Sequence, residues 1–202
     1  MDALRASDPV LRAVIDAVGA DNVRSPRSRL AGDHYGALVR SIVGQQLSTI
    51  AANAIYGRLN ERYGGRSPTP REVLEDDPDA MRVAAGLSHA KVAYLRSLAE
   101  QVLDGSLDLD RLDDLPDDEV IADLTAVRGI GSWSADMFLM FQLQRPDVLP
   151  VGDLGIRRAF MVHWGFDKPP KPADMLSIAE PWRPNRTLAS LFLWRSILAT
   201  PV

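Results

Sequence analysis

Apolar residues recur along this chain at the three-to-four-residue spacing of helices, and no run of β-branched residues alternates with polar ones as a strand would. Helix-start signals punctuate the pattern. Ser7-Asp8-Pro9 predicts a helix ending at Gly19, with Pro9 placed where its missing N–H costs nothing. Leu38, Ile42 and Val43 mark a helix over 33–44, and Ser48 restarts one that runs to Gly64-Gly65. Thr69-Pro70-Arg71-Glu72 reads as a capping box, and Asp77-Pro78 opens another short helix. Ser88 caps a segment containing Lys91, Tyr94, Leu95 and Leu98, which Gly105 closes. Proline and acids in Leu115-Pro116-Asp117-Asp118-Glu119 favour a further start. Helices are then predicted over 117–127 and 132–143, and near 153–163, 173–179 and 185–198. The expected fold class is all-α.

No Gly- or Ser-rich linker divides the 202 residues, and no internal repeat is present. The prolines of 146–150 and 168–172 are the nearest thing to joints. No apolar run approaches the ~20 residues of a membrane span, and Met1-Asp2-Ala3-Leu4-Arg5 is no signal peptide, so a cytoplasmic protein is expected. The absence of cysteine excludes disulfides, thiolate catalysis and a cysteine-ligated iron–sulfur cluster. His34, His89 and His163 lack metal-ligand spacing.

Charge complicates any link to nucleic acid, because the chain is net −4. Its distribution resolves most of the conflict. Residues 104–123 hold nine acids against Arg111 alone, so this stretch carries −8 and the rest of the chain +4. An acidic edge is compatible with a basic face elsewhere.

The chemistry concentrates late in the chain. A short apolar helix runs into the tight turn Arg128-Gly129-Ile130-Gly131, and a second helix opens at Ser132. Glycines there let the backbone approach a partner, and the unpaired N–H groups of a helix start seat a phosphate. The same glycines would also permit a plain helix–helix turn. Some twenty residues on, one carboxylate, Asp153, follows Pro150-Val151-Gly152. Asp before an apolar run is routinely a helix N-cap, and that role is compatible with catalysis.

Four motifs stand in order: Ile42-Val43-Gly44-Gln45-Gln46-Leu47-Ser48, Val127-Arg128-Gly129-Ile130-Gly131-Ser132-Trp133-Ser134-Ala135, Leu149-Pro150-Val151-Gly152-Asp153-Leu154-Gly155-Ile156-Arg157 and Pro181-Trp182-Arg183-Pro184. Together they resemble the helix-hairpin-helix DNA glycosylases, and within them the 3-methyladenine DNA glycosylase II group. The resemblance implies two helical lobes, 33–146 carrying the hairpin and 1–32 plus 147–202, with a substrate cleft between them. It implies excision of alkylated purines from double-stranded DNA by N-glycosidic hydrolysis, initiating base excision repair, in a monomer associated with the nucleoid.

The resemblance also assigns roles. Asp153 becomes the catalytic acid, stabilising the positive charge that builds on the sugar as the base departs. Asp136, one turn beyond Trp133, competes for that role and is read as structural. Trp133 occupies the position of the Schiff-base lysine of strand-cutting relatives, so an abasic site should be the end product. Trp133 and Trp182 would wall the base pocket, favouring cationic purines by cation–π attraction, although a core tryptophan is an equal reading for Trp133. Met137 and Leu154 replace aromatic residues of some relatives, which leaves substrate breadth open. Gln45 and Gln46 would probe the minor groove, with Gln46 filling the gap left by the extruded nucleotide. Gly129, Gly131 and Ser132 would offer amides to a phosphate, and the carbonyls of Thr125, Val127 and Ile130 would bind Na⁺ or K⁺. No cofactor for catalysis is expected. Arg157, Arg158, Arg183 and Arg186 are either phosphate contacts or solvated surface residues. Two other functions fit the same pattern: a non-catalytic helix-hairpin-helix DNA-binding module, or a glycosylase for deaminated or mismatched bases.

Overall fold

The computed structural model describes residues 1–23 and 33–198, so the parts of the expected second lobe at 24–32 and 199–202 lie outside the described residues. In chain order the helices are α1 (Asp2–Ser7), α2 (Pro9–Val18), α3 (His34–Gly44), α4 (Thr49–Arg62), α5 (Pro70–Glu75) and α6 (Pro78–Ala85). There follow α7 (His89–Leu103), α8 (Asp117–Ala126), α9 (Ser132–Phe141), α10 (Leu154–Trp164), α11 (Pro172–Ile178) and α12 (Arg186–Leu198). Short 3₁₀ turns intervene, and no strand occurs among the described residues.

Side-chain caps account for where most of these helices begin. Asp8 accepts from the amides of Val10 and Leu11 at 2.7 and 3.0 Å. Ser48, Asp77 and Ser88 cap α4, α6 and α7 in the same way, and Thr69 with Glu72 closes a capping box on α5. Each such cap is worth about 1 kcal/mol. The expected starts are therefore observed, with one addition: α1 was not predicted, being six residues without a side-chain cap. Helix α9 stops at Phe141 rather than 143, ahead of Gln144, whose φ is +58°.

The chain forms two compact units, Met1–Ser28 with Leu139–Val202 and Arg29–Phe138, the division falling inside α9. In the first, α2, α10 and α12 pack on one another around Leu11, Ile15, Ile156, Phe160, Phe192 and Leu193. In the second, α5 lies on α7, α6 on α4, and α3 on both α4 and α7. Its core includes Leu38, Ile42, Leu59, Val73, Leu95 and Leu98, all fully buried. An ion pair ties α4 to the end of α5: Asp76 accepts from Arg62 Nε and Nη2 at 2.6 Å each, and from the Tyr63 hydroxyl. The hydrogen bonds from Arg62 hold the Asp76 carboxyl below its ordinary range. No helix among the described residues is long and apolar enough to cross a membrane.

Candidate functional site

In the second unit the hairpin is built by α8, the turn at 127–131 and α9. Val127 and Ile130 are buried and anchor the turn, while Arg128, Gly131, Ser132 and Trp133 are exposed. Gly129 is required by both conformation and space. Its φ is +93°, and a Cβ there would collide with the ring of Tyr94 on α7. Gly131 is different: a Cβ would meet nothing within 4 Å. The backbone at Gly131 therefore faces open space just before α9.

A second feature of this unit is the connection from α3 to α4. The amide of Leu47 donates to the Gly44 carbonyl at 3.3 Å, closing a four-residue turn. Gln45 has φ −53° and ψ 132°, and Gln46 has φ +58°. These are the torsions of a type II turn, whose third position favours glycine. Gln46 is exposed in that position, and Leu47, Ser48, Thr49 and Ile50 after it are exposed too, Ile50 to 84 %. Gln45 points inward. Its Nε2 donates to the Gly129 carbonyl at 2.8 Å and to Ser134 Oγ at 3.4 Å. Lys91, one turn before Tyr94 on α7, donates to the Val43 carbonyl at 2.7 Å, and partial burial lowers its pKa.

In the first unit, Asp153 caps α10. Its Oδ1 accepts from the Ile156 amide at 2.8 Å and from the indole Nε1 of Trp194 on α12 at 2.7 Å. Trp194 in turn stacks on Phe141, centroids 6.1 Å apart and planes at 22°. Gly155 keeps this corner narrow, since a Cβ would lie 3.0 Å from Asp153 Oδ1 and 3.1 Å from the Trp194 ring. Two N–H donors converge on one oxygen and hold it in place. Leu154, the next residue, is 78 % exposed.

The expected site residues thus fall into two groups. Gln45, Gln46, Gly129, Gly131, Ser132, Trp133 and Met137 belong to the hairpin unit, and Asp153 and Leu154 to the other. Trp133 is 40 % exposed, which is not the burial of a core tryptophan. Trp182 corrects the pocket role given to it. It is 1 % exposed, its ring packs against the stacked pair Phe160 and Trp164, and its Nε1 donates to Asp8 at 3.4 Å, so no face is left for a base. Trp194, which the sequence reading passed over, is the tryptophan that touches the acid. Arg183 and Arg186 also depart from a phosphate-binding role: both pair with Asp147, and Arg186 is 8 % exposed. Arg157 is partly buried and reaches the Pro170 carbonyl, leaving Arg158 exposed.

No cluster of three metal-ligating side chains occurs among the described residues. The hairpin carbonyls suit a weaker ion. Those of Thr125 and Val127 lie at the C-terminal end of α8, where helix carbonyls lack a following turn and carry partial negative charge. The Val127 carbonyl already accepts from the Ile130 amide at 3.0 Å, which leaves one lone pair for an alkali cation.

Among the described residues, helices that carry a tight glycine hairpin in one unit and an oriented carboxylate in the other are the parts of a helix-hairpin-helix protein. The chain belongs to the HhH-GPD superfamily of base excision DNA repair proteins, whose family model matches residues 39–184. It is 35% identical over 195 residues to DNA-3-methyladenine glycosylase 1 of Schizosaccharomyces pombe, covering 96% of this chain and 84% of that one. A solved structure of the 3-methyladenine DNA glycosylase of Schizosaccharomyces pombe in complex with abasic DNA superposes with a TM-score of 0.85 at 33% identity, over 99% of this chain and 97% of that one. The DNA-3-methyladenine glycosidase of Bacillus halodurans matches with a TM-score of 0.82 at 37% identity, over 96% and 87% of the two chains.

Proposed function

We propose that this protein is a 3-methyladenine-type DNA glycosylase of the glycosylase II group, which hydrolyses the N-glycosidic bond of alkylated purines in duplex DNA and leaves an abasic site. The observation that carries the reading is the Asp153 carboxylate, held by the Trp194 indole and the first turn of α10. As the bond from C1′ to the base nitrogen breaks, positive charge gathers on the deoxyribose. A fixed carboxylate stabilises it and takes the proton of the water that adds to C1′. An N3- or N7-alkylated purine is itself cationic and leaves readily, which removes the need for a strong general acid. The exposed ring of Trp133 supplies an electron-rich surface that favours such bases, in place of Trp182.

The remaining parts serve DNA. Amides around Gly131 and Ser132 meet a backbone phosphate, a Na⁺ or K⁺ held by the Thr125, Val127 and Ile130 carbonyls reinforces that contact, and Gln46 enters the stack behind the extruded nucleotide. With tryptophan at the lysine position the enzyme is monofunctional and lacks lyase activity. It works as a monomer on the cytoplasmic, nucleoid-associated DNA. Incubation with duplexes holding one 3-methyladenine, 7-methylguanine, deaminated or mismatched base, followed by base detection, tests this. Release of the methylated purines is the expected result, and DNA binding with no base release from any duplex would leave only a binding module.

A further inference from the structure

The two DNA-facing features of the hairpin unit are physically joined. Gln46 pays for an exposed side chain at a position that favours glycine, since a non-glycine residue there is strained. Such a conformation persists only where neighbouring contacts over-determine it. Three contacts do so here. The side chain of the preceding Gln45 reaches across 84 residues of sequence to the Gly129 carbonyl, at 2.8 Å. Tyr94 supports Gly129 from beneath, and Lys91 on the same helix holds the Val43 carbonyl just before the turn. Gln45 therefore spends its amide inside the protein rather than on a base.

Resting on the glycosylase reading above, we propose that Gln45 is a positioning residue that locks the Gln46 turn to the phosphate-binding hairpin, so that wedge and anchor engage the duplex as one rigid piece. The register between a phosphate seat and a wedge decides whether the wedge meets the right gap in the stack. A loose turn would let Gln46 slip along the groove while the hairpin still held its phosphate. Affinity for undamaged duplex should then change little, and extrusion of a paired lesion should suffer.

Gln45→Met keeps the length of the side chain and removes its donor. On a duplex with one 7-methylguanine opposite cytosine, the expected loss in single-turnover rate is about tenfold, the value of one hydrogen bond. The loss should be smaller when the same lesion sits unpaired in a bulge. In a Gln46→Ala background, Gln45→Met should add no further loss, because its effect passes through Gln46. Multiplying losses, or equal losses on paired and bulged lesions, would show that Gln45 acts on DNA independently and overturn the proposal. Hydrogen exchange provides a readout without activity: Gln45→Met should raise amide exchange in both 44–48 and 128–132, and a change confined to one segment, or to neither, would refute the lock. Wild-type protein that frees no base would sink the glycosylase reading, while the exchange result would still decide whether turn and hairpin are coupled.

Discussion

Replacing Asp153 with asparagine or with alanine should separate its two duties. The carboxylate Oδ1 accepts from the Ile156 amide and from Trp194 Nε1. Asparagine retains an oxygen at that point, so both bonds survive in neutral form, at a cost of about 1 kcal/mol. Alanine removes the cap, about 1 kcal/mol, and strands the partly buried indole N–H, about 1–3 kcal/mol. For a chain of this size each kcal/mol moves the melting temperature by about 2–4 °C. Asp153→Asn should therefore melt within a few degrees of wild type, and Asp153→Ala roughly 5–15 °C lower. Both should lose about 10²–10⁴ in the rate of base release, since both lose the charge. Thermal melting, affinity for an abasic duplex and single-turnover release from a 7-methylguanine duplex measure the three quantities. An asparagine variant with wild-type rate would move the catalytic role elsewhere, Asp136 being next in line. An alanine variant that melts with wild type would refute the structural half of the argument.

Three further outcomes follow from the described geometry. With Trp133 in the lysine position, borohydride should trap no protein–DNA adduct and strands should break only after hot alkali; a trapped complex abolished by mutating Lys168 or Lys171 would refute monofunctional chemistry. Gly129→Ala should destabilise by about 2–4 kcal/mol, because a methyl group at positive φ collides with the Tyr94 ring, and normal melting would show that α7 yields there. Asp76, whose carboxyl Arg62 holds below its ordinary value, contributes stability that is complete above the unfolded pKa of about 4 and is lost as pH falls through the lower folded pKa. Melting followed from pH 7 down to pH 2 should show a shallower acid limb for Asp76→Asn than for wild type, and identical limbs would discard the ion pair as a contributor.

Local chemistry made most of the fold legible. The residues that announce a helix in sequence, Asp8, Ser48, Thr69, Asp77, Ser88 and Asp153, are those whose side chains accept the first amides in space. Helix α1 escaped because six residues carry too little periodicity. The tight turn was legible at Gly129, whose φ of +93° favours glycine, and less could be read where a side chain depends on distant partners. Trp182 stands between Pro181 and Arg183 in the sequence, and Trp194 follows the apolar run Leu191-Phe192-Leu193. Only three-dimensional packing shows that one packs against Phe160 and Trp164 while the other turns its N–H to an acid 41 residues away. The bond from Gln45 to the Gly129 carbonyl is hidden for the same reason, since the two residues stand 84 apart in sequence.

The acidic first turn of α8 bears on how ionic strength should act at the hairpin. Asp117, Asp118 and Glu119 sit at the N-terminal end of this ten-residue helix, and the phosphate seat lies beyond its other end, about 15 Å away at 1.5 Å per residue. At physiological salt, charges are screened beyond about 8 Å, so a docked phosphate scarcely senses these acids. At ~0.01 M salt the screening length reaches about 30 Å, and the same acids repel the duplex. Counterion release favours dilute buffer in most DNA-binding proteins. In this one the two trends should oppose each other, so that affinity for duplex DNA flattens as salt is withdrawn.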